Sequence, residues 1–405
     1  MSKTNSGKRR ILLYSQDGYG LGHLRRNLNI SEQLQKRCPG IEILMIVDSP
    51  VAPFFQLPPN CDFIKLPTLV KINSGIWRPY CLSMSCRDVL DLRTQMLEEI
   101  VLKFRPHLFL VDHMPHGVLG ELRKPLRALK RHRPEAKIML GLRDILDAPQ
   151  VVTHTWQKEG AFEAVEEFYD NIYIYGCKTV FATDAVYEFP QAVRSKARYC
   201  GYVAREASLE RRRRNAPNPA AKDGKTVLVT GGADAGNFME LFLNAVRMLP
   251  PKIRFHAVLA TGPFIGKIQK EKLQKKAVNL PVQFVSGRQD IIDELHRADL
   301  VLSMAGYNTV SEIMRFQKSA IVIPRPGPSA EQSMRSDIFS KHGWLDAIHP
   351  QNLCATGLAE LVAKKLNSKS GLAMLPTPNL TGAETVSSFL LEEMQNVSIQ
   401  AGAIL

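Results

Sequence analysis

The same local pattern opens both halves of this chain: a short apolar run, a glycine-rich turn, then a helix-period segment. In the first half Ile11-Leu-Leu-Tyr14 leads into Asp17-Gly-Tyr-Gly-Leu-Gly22, and Leu24, Leu28, Ile30 and Leu34 then recur on one helix side. In the second, Thr226 to Thr230 leads into Gly231-Gly232 and a helix over Asn237 to Met248. Uninterrupted apolar runs of four to eight residues suit strands buried on both faces, as in a doubly wound α/β domain. Further runs fit that plan: Ile41 to Val47, Leu108 to Val111, Lys137 to Leu142, Ile172 to Tyr175, Val180 to Ala182, Phe255 to Ala260, Val282 to Val285, Leu300 to Ser303 and Ala320 to Ile323. Helices are expected between them, notably over 88–104 and 118–131.

Two tandem domains are therefore expected, 1–204 and 225–380, which suits a length of 405 residues. The linker, 205–224, carries four consecutive arginines, Arg211 to Arg214, before Asn-Ala-Pro-Asn-Pro. A last helix, Gly382 to Gln395, lies in 381–405.

Apolar residues at 45% and charged residues at 23% exclude a disordered chain. The net charge is +14, spread evenly: 28 basic and 21 acidic residues in 1–204, 25 and 18 in 205–405. That favours a polyanionic partner without a basic tail. Aromatics at 7% and dispersed basic residues supply no stacking platform, so no nucleic acid is expected. Seven cysteines with no Cys-x-x-Cys pair read as reduced packing residues in a cytoplasmic protein. No run approaches the 18 apolar residues of a membrane span. Leu66 to Arg78 mixes apolar residues with Lys71 and Arg78; it reads as an ordinary loop, or as one touching anionic lipid or covering an acceptor.

Several segments carry candidate chemistry. Gly18-Tyr-Gly-Leu-Gly-His23 sits at a strand-to-helix turn, where backbone amides favour anions. It is not a dinucleotide fingerprint, because His23 holds the third glycine position. His23, with Arg25 and Arg26 behind it, suits a general base or a phosphate contact. Thr230-Gly-Gly-Ala-Asp-Ala-Gly236 is a second turn suited to a diphosphate, or a plain turn. Ser303 to Glu312 is a small-residue turn leading into a helix, where Glu312 is either a ribose ligand or a solvated residue. Gly224-Lys-Thr226 is no phosphate loop, since the lysine precedes its strand. Asp112-His-Met-Pro-His116 offers three ligand types from one loop with no distant partner, so no metal is expected, although the place suits a cleft.

The segment Ala298-Asp-Leu-Val-Leu-Ser-Met-Ala-Gly-Tyr-Asn-Thr-Val-Ser-Glu312, followed by Ala320 to Pro324 and Glu331-Gln332, resembles the C-terminal domain of glycosyltransferase family 28, which includes bacterial MurG-type N-acetylglucosaminyltransferases. The Gly18 to His23 loop resembles the first-domain loop of the same enzymes. Val111 to Gly117 and Leu140 to Asp147 resemble a bacterial branch of predicted glycosyltransferases. The resemblance implies an α/β GT-B fold, two Rossmann-like doubly wound domains facing across a cleft, with the last helix crossing back to the first domain. It implies an inverting, metal-independent transfer from a nucleotide-sugar, UDP-GlcNAc-like, to an acceptor hydroxyl. The nucleotide-sugar is then a substrate, and no cofactor is expected.

By the same resemblance Arg205, Gly231, Gly232, Gly306, Asn308, Thr309, Glu312, Glu331 and Gln332 bind the donor. Gly20, Gly22, Arg25 and Arg26 meet the acceptor, and His23 and Asp112 are catalytic. The acceptor would be anionic or lipid-linked, with peripheral contact at the inner membrane face. Two departures stand out: Ala233-Asp234 replaces the usual polar residue after the two glycines, placing a carboxylate beside the diphosphate, and Glu331 stands where glutamine is common. Absence of any Asp-x-Asp agrees with metal independence. The competing readings are a GT-B epimerase or hydrolase, and a binding protein without turnover.

Overall fold

The computed structural model describes residues 9–18, 20–73, 76–206, 224–232, 234–285, 291–368 and 376–402. It divides into two compact units: residues 1–203 with 381–405, and residues 204–380.

The first unit contains β1 (Arg10–Tyr14), β2 (Glu42–Val47), β3 (Cys61–Lys65), β4 (Leu69–Asn73), β5 (Ile76–Pro79), β6 (Leu108–Asp112), β7 (Lys137–Arg143), β8 (Asn171–Tyr175) and β9 (Ala197–Tyr199). Seven of these form one sheet in the order β3-β2-β1-β6-β7-β8-β9, with every pairing parallel. Ile11 to Tyr14 and Leu108 to Val111 are fully buried, as strands covered by helices on both faces must be. The chain reverses direction across the sheet where β1 pairs with both β2 and β6. Ligands of open α/β sheets bind beside the carboxyl ends at such a switch.

Two expected elements take a different form. Val180 to Ala182 is a turn closed by Val180 N–H and Phe181 N–H on Cys177 O (2.9 and 3.0 Å). Its apolar character serves packing, with Phe181 buried against Tyr187, and the edge position belongs to β9. The helix expected over 118–131 starts only at Arg123, because Gly117, Leu119 and Gly120 all have left-handed φ. Periodicity is blind to this break, since the turn's Val118 and Leu122 are as buried as helix-face residues.

Leu66 to Arg78 is not an ordinary loop: among its described residues β4 and β5 pair antiparallel. Leu69 packs with Val89 and Val118, while Ile72 and Ile76 are about half exposed near the tip. The helix Cys86–Phe104 beneath it starts at Ser85, whose Oγ accepts from Asp88 N–H.

The last helix, Gly382–Gly402, belongs to the first unit and packs along the helix Gly22–Arg37. Ser387 Oγ, which donates to Ala383 O (2.7 Å), lies 3.4 Å from Ile30 O; Asn171 Nδ2 donates to Glu393 Oε1 (2.9 Å), and Arg198 lies 3.8 Å over the Phe389 ring. A bridge between Val203 and Thr381 pins the start of that helix.

The second unit contains β10 (Lys225–Gly231), β11 (Phe255–Thr261), β12 (Val282–Val285), β13 (Leu300–Ser303), β14 (Ser319–Val322) and β15 (Asp346–Ala347). They form a parallel sheet in the order β12-β11-β10-β13-β14-β15, with the switch between β10 and β13. The helices Gly236–Met248 and Ala355–Asn367 pack over it through Phe242, Leu243, Leu358 and Val362. Apart from Arg205 and Glu206, which belong to this unit, and Gly224, the expected linker lies outside the described residues.

One contact tests the docking of the last helix. A Cβ at Gly382 would lie 2.4 Å from Gly201 O and 2.7 Å from Tyr202 O, both backbone atoms. Gly382→Ala is expected to destabilise the first unit by about 1–3 kcal/mol, as forced overpacking does. Urea denaturation checks this; an unchanged midpoint means the helix start is not held there.

Candidate functional site

In the first unit the switch brings the Asp17–Gly22 turn beside the end of β6, and with it His23 beside Asp112. Asp17 is the local organiser. Its Oδ1 accepts from His23 N–H (3.0 Å) and its Oδ2 from Leu24 N–H, so it caps a helix whose own N-cap position, Leu21, has no side-chain bond. Gly20 N–H closes the turn on Asp17 O (3.3 Å). Gly22 opens the helix with nothing within 4 Å of where a Cβ would sit. Tyr19 lies outside the described residues.

Asp112 is fully buried at the end of β6. Its Oδ2 accepts from Arg26 Nε (3.1 Å) and Nη2 (2.9 Å) and lies 3.1 Å from His23 Nδ1. Burial alone would raise its pKa, but Arg26 and His23 outweigh burial and hold it well below the usual carboxylate range. Arg26, also buried, lies over the Tyr175 ring (5.1 Å), and its Nη2 is 2.8 Å from His23 Nδ1. Arg25, one position earlier on the helix, is half-buried. His113 follows Asp112 with a left-handed φ of 82° and a ring 5.3 Å from that of His23. Such a backbone is uncommon for histidine and gathers at functional sites.

Behind this lies a buried charge network that sequence patterns did not reveal. Arg93 donates through Nε to Glu121 Oε2 and through Nη2 to Glu121 Oε1, both at 2.6 Å, and its Nη1 is 3.4 Å from Asp48 Oδ2. Tyr14 Oη donates to Glu121 Oε1 (2.5 Å), and Asp17 N–H to Asp48 Oδ1 (2.6 Å). The network ties the capping turn to the carboxyl ends of β1 and β2. The one outward signal was Asp48 closing an apolar run.

In the second unit the switch brings together the turns after β10 and β13. Gly231 is a packing glycine: a Cβ there would lie 2.4 Å from that of Ala235. Gly232 and Gly306 leave open space, with only Asp234 Oδ1 at 3.4 Å from the former and nothing within 4 Å of the latter. Gly306 caps the helix Tyr307–Arg315, and Asn308 and Thr309 lie half-buried in its first turn. Glu312, one turn on, is 2% exposed, not a solvated residue. Its Oε1 accepts from Arg205 Nε at 2.6 Å, so the two expected donor ligands are brought together. Asp234 does not stand as an uncompensated charge, because Arg325 binds it through Nε (2.5 Å) and Nη2 (3.3 Å). Ala233 lies outside the described residues.

Glu331 and Gln332 open the helix Glu331–Lys341. Glu331 pairs with Arg335 (2.8 Å), and Gln332 Oε1 accepts from Arg325 N–H (3.0 Å). Arg325 and Arg335 were not singled out by sequence: Arg325 precedes Pro326-Gly327 in a proline-rich stretch, and Arg335 falls within a helix. Among the described residues no cluster of three His, Cys, Asp or Glu could hold a metal ion, and no helix is long and apolar enough to cross a membrane. All seven cysteines are free thiols.

Residues 226–385 match the model of the Glycosyltransferase family 28 C-terminal domain. A UDP-N-acetylglucosamine--N-acetylmuramyl-(pentapeptide) pyrophosphoryl-undecaprenol N-acetylglucosamine transferase from Cupriavidus pinatubonensis is 30% identical over 139 residues, 34% of this chain and 38% of that relative. The enzyme of the same name from Trichlorobacter lovleyi is 22% identical over 186 residues, 44% of this chain and 48% of the relative. The matches thus span less than half the length of these relatives. Among solved structures, Acinetobacter baumannii MurG superposes with a TM-score of 0.54 at 14% identity, covering 96% of this chain and 99% of that one. CalG4, the calicheamicin glycosyltransferase, gives 0.53 at 13%, covering 98% of each. The fold class is GT-B, with a parallel α/β sheet in each unit.

The buried network makes a pH prediction. Burial raises the Asp48 carboxyl to about 6 despite Arg93, above its unfolded value of about 3.9. Between those two values the folded state holds a proton that the unfolded state has lost, so this group's contribution to stability falls as pH rises from about 4 to about 6. Going from pH 7 to pH 5, the wild type should gain on the order of 1 kcal/mol relative to Asp48→Asn. Parallel pH profiles of the two proteins in chemical denaturation would refute the assignment.

Proposed function

We propose that this protein is a glycosyltransferase that moves a sugar from a nucleotide-sugar, of the UDP-GlcNAc type, to an acceptor hydroxyl with inversion. The observation that carries the reading is the pairing of Arg205 with buried Glu312 at the β13 switch, Glu312 lying inside the segment that matches family 28. Glu312 then accepts from the donor ribose. The turn at Gly232, the helix start at Gly306 and Arg205 meet the diphosphate with backbone amides and a guanidinium. These groups stabilise the charge that grows on the leaving nucleotide, and the reading requires no metal and no cofactor. Asn308, Thr309, Glu331 and Gln332 complete the donor contacts.

On the acceptor side His23 is the base. With Nδ1–H donated to Asp112, the imidazole presents Nε2 as the proton acceptor, and Asp112 stabilises the imidazolium as it forms. The proton leaves the acceptor hydroxyl for Nε2, the hydroxyl oxygen bonds to the anomeric carbon, and the bond to the nucleoside diphosphate breaks on the opposite face. Arg26 holds Asp112 in place; Gly20 and Gly22, lacking side chains, let an anionic acceptor approach the turn closely, and Arg25 adds positive charge beside it. The 2.8 Å approach of Arg26 Nη2 to His23 Nδ1 favours a second reading, in which Nε2 carries the hydrogen and only donates to the acceptor.

The acceptor is read as lipid-linked, as in the names of the curated relatives, with contact at the inner membrane face. The exposed Ile72, Ile76, Tyr80, Leu82 and Met84 beside Lys71 and Arg78 support that reading. Cosedimentation with anionic vesicles, lost at Ile72→Glu/Ile76→Glu, is the expected result; equal recovery with neutral vesicles would count against it.

His23→Ala is expected to lower kcat by about 10²–10⁴-fold with donor affinity little changed. His23→Gln retains a hydrogen-bonding group but cannot take the proton. Near-normal kcat for it would leave only the donor role. Turnover in the same assay should survive EDTA, and restoration by Mg²⁺ after chelation would refute the metal-independent mechanism. Product analysis with and without acceptor separates transfer from epimerisation or hydrolysis.

A further inference from the structure

Arg335 is among the largest fully buried side chains, with 1% exposure, and nothing above gives it a function. It lies one turn into the helix Glu331–Lys341. Its Nη1 donates to Ala305 O (3.1 Å) and also lies 2.8 Å from Glu331 Oε1, while its guanidinium carbon is 5.6 Å from the centre of the Tyr307 ring. One cation therefore touches two segments of the donor reading at once: the Ala305–Tyr307 turn that starts the Glu312 helix, and the carboxylate of Glu331.

That placement is costly unless the geometry is used. An apolar side chain of similar volume fills such a space without desolvating a charge. What an apolar residue cannot do is fix the direction of a carboxylate and a carbonyl together. Both contacts come from Nη1, whose N–H directions are fixed by the rigid plane of the guanidinium; a lysine carries the charge on an ammonium that rotates freely at the end of a flexible stem.

We propose that Arg335 is a positioning residue for the donor sugar: it locks Glu331 to the Ala305–Tyr307 turn, and the orientation so imposed on Glu331 sets which sugar is accepted. The proposal rests on the reading that Glu331 faces the sugar. A fixed carboxylate accepts from sugar hydroxyls, whereas a carboxylate on the sugar is itself an acceptor and has no hydrogen to donate to it. The substrate class is therefore a neutral hexose or N-acetylhexosamine rather than a uronic acid.

The test compares Arg335→Met, Arg335→Lys, Glu331→Ala and the Arg335→Met/Glu331→Ala double variant. KM is measured for neutral and uronic nucleotide-sugars, and Kd for UDP alone. Arg335→Met is expected to raise KM for the neutral donor about 10–100-fold, the effect of losing a charged hydrogen bond. UDP affinity should change less than about threefold. Arg335→Lys should fold with wild-type UDP affinity and recover only part of the loss, and the double variant should be little worse than either single one. Equal losses of UDP and UDP-sugar affinity in Arg335→Met and Arg335→Lys would reduce Arg335 to a structural residue and overturn the proposal. So would strictly additive losses in the double variant, or a preference for the uronic donor in the wild type. If Glu331→Ala leaves donor KM unchanged, the reading of Glu331 itself fails; if only Arg335→Met is silent, the positioning proposal alone fails.

Discussion

A parallel sheet covered by helices on both faces has nowhere to put polar chemistry except the ends of its strands. Both units obey this constraint. Ile11 to Tyr14, Leu108 to Val111, Leu228 and Val229 are sealed, and polar residues begin where the strands end. At each switch two neighbouring strands send their following segments in opposite directions, leaving room between them. His23 and Asp112 meet at one such edge, and the turns at Gly232 and Gly306 meet at the other. The candidate residues are close together because the topology leaves them no other place.

The second consequence concerns charge. A carboxylate near a buried edge must be paired or pay for desolvation. In the first unit Asp112 is held by Arg26 and Glu121 by Arg93. In the second, each carboxylate near the turns has its own arginine: Glu312 with Arg205, Asp234 with Arg325, and Glu331 with Arg335. An anionic ligand approaching those turns meets acids already neutralised, beside helix N-termini that favour negative charge. The half-exposed Arg325–Asp234 pair contributes little to stability, and its effect is on the local potential. The buried pairs are different: removing one partner would strand a charge, at a cost of about 3–5 kcal/mol.

Much of the fold was legible in sequence. The runs at Ile11, Leu108, Lys137, Thr226 and Leu300 became central strands, because continuous apolar character is what burial on both faces requires. Of the edge strands Val282–Val285 was legible, but those of the first sheet and the hairpin strands were not. Cys61–Lys65 has only two adjacent apolar residues, Phe63 and Ile64, between Asp62 and Lys65, and Leu69–Asn73 pairs with Ile76–Pro79 outside the main sheet. The break at Gly117–Gly120 was hidden because periodicity reports which residues are buried and not the sign of φ. Of the candidate residues, those on glycine turns could be picked out by composition. Arg335, Arg93 and Glu121 could not, since a charged residue within a helical stretch reads as solvated until its surroundings are known.

Sequence by itself determined the tandem α/β plan, the strand–glycine–helix turns and the residue types they present, because these depend on local spacing and on which side chains avoid water. Tertiary structure alone decided the partners: that Asp112 faces His23 from 89 residues away, that Glu312 is buried against Arg205, and that Arg335 joins Ala305 to Glu331. Pairings of that kind arise from strand order and from the cost of leaving a buried charge alone, and neither is written in any local stretch of the chain.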